Sequence, residues 1–133
     1  MSAPFASYIH SELTNRIIGS ALHVHRALGP GLLESAYRAC LAHRLRADGL
    51  NTAEEVPIPL NFEGLELDVA YRADLVVEDK VLVELKAIEQ IGRLHESQLL
   101  TYLKLSGIRV GLLLNLQRDT LEIRYPESRA LTT

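Results

Sequence analysis

From Ser11 to Leu28, Leu13, Ile17, Ala21, Leu22 and Leu28 recur at near-helical spacing, and Gly29-Pro30 supplies a stop, so the pattern predicts a first helix. A second apolar stripe, Leu33, Tyr37, Cys40, Leu41 and Leu45, follows the Gly-Pro-Gly break and runs to Gly49, predicting another helix. The period then changes. The prolines and β-branched residues of "TAEEVPIPL" suit an edge strand. "LELDVAYRADLVV" and "VLVELKAI" alternate as strands do, with one turn at Gly64 and another at Glu78-Asp79-Lys80. Helical spacing returns in "HESQLLTYLKLSG" through Leu99, Tyr102, Leu103 and Leu105, with Gly107 as its stop. "IRVGLLLNL" reads as a short buried strand and "TLEIRY" as another. The order ααβββ(β)αββ describes an α/β sandwich, a mixed central sheet flanked by helices. No repeat or linker divides it, so residues 1–133 are expected to form one domain.

One hairpin breaks the apolar pattern. In "VLVELK" Leu82, Glu84 and Lys86 share one face, while Val81, Val83 and Leu85 share the other. If Glu78-Asp79-Lys80 is a three-residue loop, Asp74 lies opposite Glu84 and points the same way; a two-residue loop would send it to the reverse face. The first register gathers two carboxylates and an amine in mid-sheet. Close anions in a semi-buried place drive one carboxyl pKa upward unless a cation neutralises them. Lys86 supplies part of that charge and a divalent metal could supply the rest. With only oxygen ligands on offer, Mg²⁺ or Mn²⁺ is favoured over zinc. The plainer alternative is that Asp74 and Glu84 pair with Lys86 and Arg72 on a solvated face.

Composition narrows the partners. Hydrophobic residues at 47% and charged residues at 23% fit an ordinary globular protein. The net charge of −3 gives no global attraction to phosphate backbones or anionic membranes, so nucleic acid would have to meet a local patch. Arg26, Arg38, Arg44, Arg46, Arg72, Lys80, Arg93 and Lys104 could form such a rim, although scattered surface charges are the default. The lone Cys40 cannot build a disulfide framework, an iron–sulfur cluster or a structural zinc site and reads as a core thiol. No basic-flanked leader and no apolar run of about 20 residues is present, so a cytoplasmic, membrane-free protein is expected.

Two helical fragments add to the hairpin. Gln98 and Tyr102 stand four apart on one face, and Glu34 and Tyr37 three apart at the start of the second helix. "GPGLLESAY" with Gly31, Glu34 and Tyr37, then "YRADLVVEDKVLVELKA", then "HESQLLTYLKLSGIRVGLLLN", resemble in the same order the small bacterial GxxExxY proteins of the PD-(D/E)XK nuclease superfamily, near its RecB-like branch. The similarity runs from about His25 to Asn115. It implies a nuclease-like fold in which Asp74, Glu84, the Leu85 carbonyl and Glu34 hold Mg²⁺ or Mn²⁺. Lys86 would orient the attacking water and stabilise charge at the phosphate, and Gln98 and Tyr102 would form the QxxxY element beside them. His25 resembles a recurrent histidine before the Gly-Pro-Gly turn whose role is open, whereas His23, His43 and His95 read as surface or packing residues. Ala73 stands where the motif often has proline, and the stretch after Asn115 lacks the phenylalanine–glycine pair of the family.

The expected activity is therefore metal-dependent phosphodiester hydrolysis, in DNA first, with a dimer or protein partner helping delivery. The competing expectations are a catalytically silent nucleic-acid- or protein-binding module on the same fold, and a hydrolase of some other phosphoester.

Overall fold

The structure, a computed structural model, describes residues 9–125 apart from the side chains of residues 69 and 70, so most of the stretch read for a leader lies outside the described residues. Two helices come first, α1 (Ser11–Leu28) and α2 (Glu34–Ala47), then strands β1 (Thr52–Phe62), β2 (Leu65–Val77) and β3 (Val81–Lys86). Helix α3 (Arg93–Ser106), β4 (Val110–Asn115) and β5 (Glu122–Arg124) complete the order. The strands form one five-stranded sheet, β1-β2-β3-β4-β5, antiparallel except where β3 and β4 run parallel across the α3 crossover. It is the mixed sheet with flanking helices that the sequence pattern predicts.

Turn chemistry sets the register. Glu63 and Gly64, at φ 49° and 89°, make the tight left-handed link between β1 and β2. The β2–β3 link is the three-residue Glu78-Asp79-Lys80 loop, with Lys80 N–H donating to the Val77 carbonyl at 2.9 Å. Val77 then faces Val81, Val76 faces Leu82 and Leu75 faces Val83. Because β3 meets only this end of β2, the rest of the β1–β2 ribbon, with exposed Phe62, Leu65 and Leu67, extends past the sheet.

Each face of the sheet has its own core. Leu75, Val77, Val81, Val83, Leu85, Leu112 and Leu114 pack under α1 and α2, against Ile17, Ala21, Val24, Tyr37, Leu41 and Leu45. Val76, Leu82 and Leu113 pack under α3, against Leu99, Tyr102 and Leu103. Gly111 lets β4 come close to α3, for a β-carbon there would sit 3.0–3.1 Å from Leu103 and Leu99 methyls. Two stripe positions depart from expectation at the helix ends: Leu28 and Leu33 are 48% and 74% exposed, since Leu28 is the last residue of α1 and Leu33 the residue before α2. Cys40 is only partly buried against the first core. No helix among the described residues is long and apolar enough to cross a membrane.

Tyr37 locks the two helices together. Its ring is fully buried and its hydroxyl donates to the Ala21 carbonyl of α1 at 2.6 Å. Burial pushes the hydroxyl's pKa upward, so it remains a donor. Tyr37→Phe should leave the packing and remove the bond, lowering stability by about 1–2 kcal/mol in a urea titration. An unchanged midpoint would show that the bond contributes nothing net.

Candidate active site

Besides a register shift between Ile58 and Leu60 in the β1–β2 ribbon, the sheet opens at Asp74. On the β1 side of β2 the pairing passes from Glu54–Leu75 to Val56–Ala73, and the residue between, Glu55, has φ 49° and is not bridged to Asp74. A left-handed backbone at a non-glycine residue is costly, and such strain gathers at functional sites. On the β3 side the ladder stops at Leu75–Val83, one residue short of Asp74 and Glu84. Asp74 is thus released by both neighbours.

Side chains take over the missing ladder bonds. Asp74 N–H donates to Glu84 Oε1 at 2.9 Å, and Leu85 N–H donates to Asp74 Oδ2 at 2.7 Å. Each carboxylate therefore caps the opposite strand, which fixes the two acids side by side. Each spends one oxygen on an amide, leaving its second oxygen outside this exchange.

The electrostatics are those of a place short of positive charge. Burial first, and then the adjacent Asp74 carboxylate, push the Glu84 pKa up to about 8. Burial also raises the Asp74 pKa; the hydrogen bond from Leu85 and the charges of Arg38 and Lys86 oppose this, while Glu34 adds to it. Glu84 is 5% exposed, so water does little to spread its charge.

The remaining candidates arrive from both helical layers. Lys86, half-buried at the end of β3, donates to Gln98 Oε1 of α3 at 3.4 Å. Tyr102, one turn after Gln98, rests against the Tyr71 ring with centroids 5.2 Å apart. Burial, then the charges of Glu84 and Asp74, raise the Tyr102 pKa to about 12. Glu34 is exposed at the first position of α2, and its charge acts on both acids without a contact to either. Among the described residues no three His, Cys, Asp or Glu side chains are gathered as a ready metal cluster. Two facing carboxylates with spare oxygens and an uncompensated charge nevertheless fit a hard dication. Leu85 takes part through its backbone, because its side chain belongs to the α1–α2 core.

His25 stands apart from this group. It is buried, with Nε2 3.3 Å from the Leu116 carbonyl, and joins the end of α1 to the strand layer. His95 accepts from Gly92 N–H at 2.9 Å and so serves the start of α3.

Sequence reasoning missed one contributor and named a second only as one cation of a scattered rim. Asn115, fully buried at the end of β4, accepts from Ile88 N–H at 3.0 Å and donates to the Ile88 carbonyl at 2.8 Å and to Glu122 Oε1 at 3.0 Å. Glu122 Oε1 also accepts from Ile91 N–H at 3.3 Å. Burial works against ionisation of Glu122, but the bonds from Asn115, Ile91 and Arg124 lower its pKa. The pair clamps the segment that links Lys86 to α3. A lone amide ending the apolar run "GLLLN" was the signal for it. The second contributor is Arg38, whose charge reaches Asp74; its place one turn after Glu34 was the signal there.

A family model described as PD-(D/E)XK nuclease superfamily matches residues 11–125. Among solved structures, the crystal structure of SSO0001 is similar with a TM-score of 0.55, over 89% of this chain and 59% of that one, at 21% identity. At that identity the likeness shows the fold alone. This chain corresponds to 59% of the length of that protein's chain. No curated protein matches at a significant level.

Proposed function

The chain belongs to the PD-(D/E)XK nuclease superfamily, and from that premise we propose that it hydrolyses phosphodiester bonds in nucleic acid, DNA first, with Mg²⁺ or Mn²⁺ held by Asp74 and Glu84. The observation that carries this is the reciprocal capping of the two acids at the point where the sheet opens. Superfamily membership by itself implies divalent-metal chemistry. Within the superfamily we place the chain among the small GxxExxY, RecB-like proteins, as one domain, on the strength of Gly31, Glu34 and Tyr37 followed by the Asp74, Glu84-x-Lys86 and Gln98-x-x-x-Tyr102 elements. A cytoplasmic location and help from a second copy or a protein partner remain part of this reading.

When bound, the dication would supply Lewis-acid stabilisation and a nucleophile at neutral pH. The protein's own residues do the rest. Asp74 and Glu84 present one free oxygen each, with the Leu85 carbonyl and Glu34 as further ligands. Lys86, oriented by Gln98, places fixed positive charge beside them where negative charge develops at phosphorus. The Tyr102 hydroxyl, its pKa well above neutrality, is a hydrogen-bond donor at the same edge.

The test is a cleavage assay over single- and double-stranded DNA and RNA with Mg²⁺, Mn²⁺ and a chelator. At least one substrate should be cut with metal and none with chelator. If nothing is cut, and Mn²⁺ gives neither heat nor a melting shift that Asp74→Ala removes, the silent binding module becomes the better account. The exposed, detached placement of Glu34 is the observation that favours this second reading.

A further inference from the structure

Arg38 follows Glu34 by four residues on α2 and so lies one turn further along the same face. Its side chain is only 20% exposed, with Nε 3.5 Å from Glu54 Oε1 and Nη1 3.7 Å from Glu55 Oε1. Both distances exceed the usual range for charge-assisted bonds. Nε is buried and has no hydrogen-bond partner among the described residues.

Arg46 shows what a structural arginine does here. It donates to the Thr52 carbonyl through Nε at 3.1 Å and Nη2 at 2.8 Å, and to Glu54 through Nη1 at 3.2 Å. Its fork is used. Glu54 is thus already engaged by Arg46, while Glu55 is 54% exposed on the strained residue opposite Asp74. Arg38 is a partly buried cation whose charge acts on Asp74 and whose planar donors are held only by long contacts. That fork suits two oxygens of a phosphate.

We propose that Arg38 is a phosphate-binding residue of this site. A backbone phosphate of a nucleic-acid strand crossing Asp74 and Glu84 takes the guanidinium from Glu54 and Glu55, so the strand is held by Arg38 from the α2 side and Lys86 from the α3 side. In the free protein the two glutamates mask this charge, in keeping with a chain whose net charge is −3 and whose nucleic-acid affinity must be local. The inference rests on the proposed nuclease reading.

The experiment measures binding of fluorescent single-stranded and duplex oligonucleotides to the parental protein in a chelator, where metal-dependent turnover is stopped and both Arg38 and Lys86 are kept, across a range of salt concentrations. Adding Arg38→Gln should weaken binding about tenfold at low salt and reduce the slope of log Kd against log salt by about 0.7 on single strands or about 0.9 on duplex. Arg38→Lys should keep most of the slope. Glu55→Gln should tighten binding by freeing the arginine, and this arm decides the matter if Arg38→Gln melts at an unusable temperature. Parental slope and affinity in Arg38→Gln, or no tightening in Glu55→Gln, would overturn the role of Arg38 alone. No binding at all by the folded parental protein, with or without Mn²⁺, together with no cleavage of any substrate, would overturn the nuclease reading, and Arg38 with it.

Discussion

Lys86→Ala is expected to lower metal-dependent cleavage by about 10²–10³-fold, the usual loss when one preorganised stabilising charge is removed from a transition state. The fold should tolerate the change. Lys86 is the last residue of β3, half-buried, and its amine has one long bond, 3.4 Å, to Gln98. The strand is held from beneath by Leu85 in one core and Leu82 in the other, and the Lys86 carbonyl still accepts from Leu116 N–H at 2.8 Å. The variant's melting temperature should therefore stay near that of the parent. Metal binding provides a second discriminator. Lys86 opposes the repulsion between Asp74 and Glu84, so removing it leaves a more negative pair, and Mn²⁺ should bind at least as tightly as in the parent. Asp74→Ala should instead lose both cleavage and the Mn²⁺-dependent melting shift. Equal single-turnover rates for Lys86→Ala and the parent would remove the lysine from the chemistry.

The hairpin was legible because two local signals agreed: strict alternation through "VLVELK", and a turn whose length settles which face Asp74 joins. Helix positions were legible from the glycine stops at Gly29, Gly49 and Gly107, all three with positive φ. The helical faces were less so. Thr14 and Ser20 are buried on α1, and His25 with them, while Leu28 lies outside. These polar side chains share the buried side of α1, and a stripe counted by hydrophobicity passes over them. Around the acids, what could not be read depends on chain segments distant in sequence. The Asn115–Ile88 clamp spans 27 residues, and it exists because β4 lies parallel beside β3. Glu55 looks like any glutamate in an edge strand until the pairing of β1 with β2 sets it opposite Asp74 with a left-handed backbone. Local period carries neither fact.

Without metal, the protein should lose stability as pH rises from about 4.5 to about 8, because that is the window between the ordinary Glu84 carboxyl and its raised value in the fold. Below the window both folded and unfolded chains are protonated at this group, and burial carries no charge penalty. Within it the unfolded chain releases its proton first while the fold retains it, so the folded state binds more protons and stability falls with pH. Above it the full cost of a buried anion beside Asp74 is present, on the order of 5 kcal/mol, or roughly 15 °C in melting temperature. Asp74, whose pKa is also raised by burial, adds to the fall in the same direction. Glu84→Gln can keep the bond from Asp74 N–H through its amide oxygen but cannot ionise. In a chelator it should match the parent near pH 5 and melt higher near pH 8. Mn²⁺ has to displace the Glu84 proton, so its stabilisation of the parent should grow across the same interval and be absent from Glu84→Gln. Parallel melting profiles for the two proteins from pH 5 to 8 would mean that Glu84 is ionised in the fold well below neutrality. The paired acids would then be an ordinary solvated pair with no deficit of positive charge for a metal to fill.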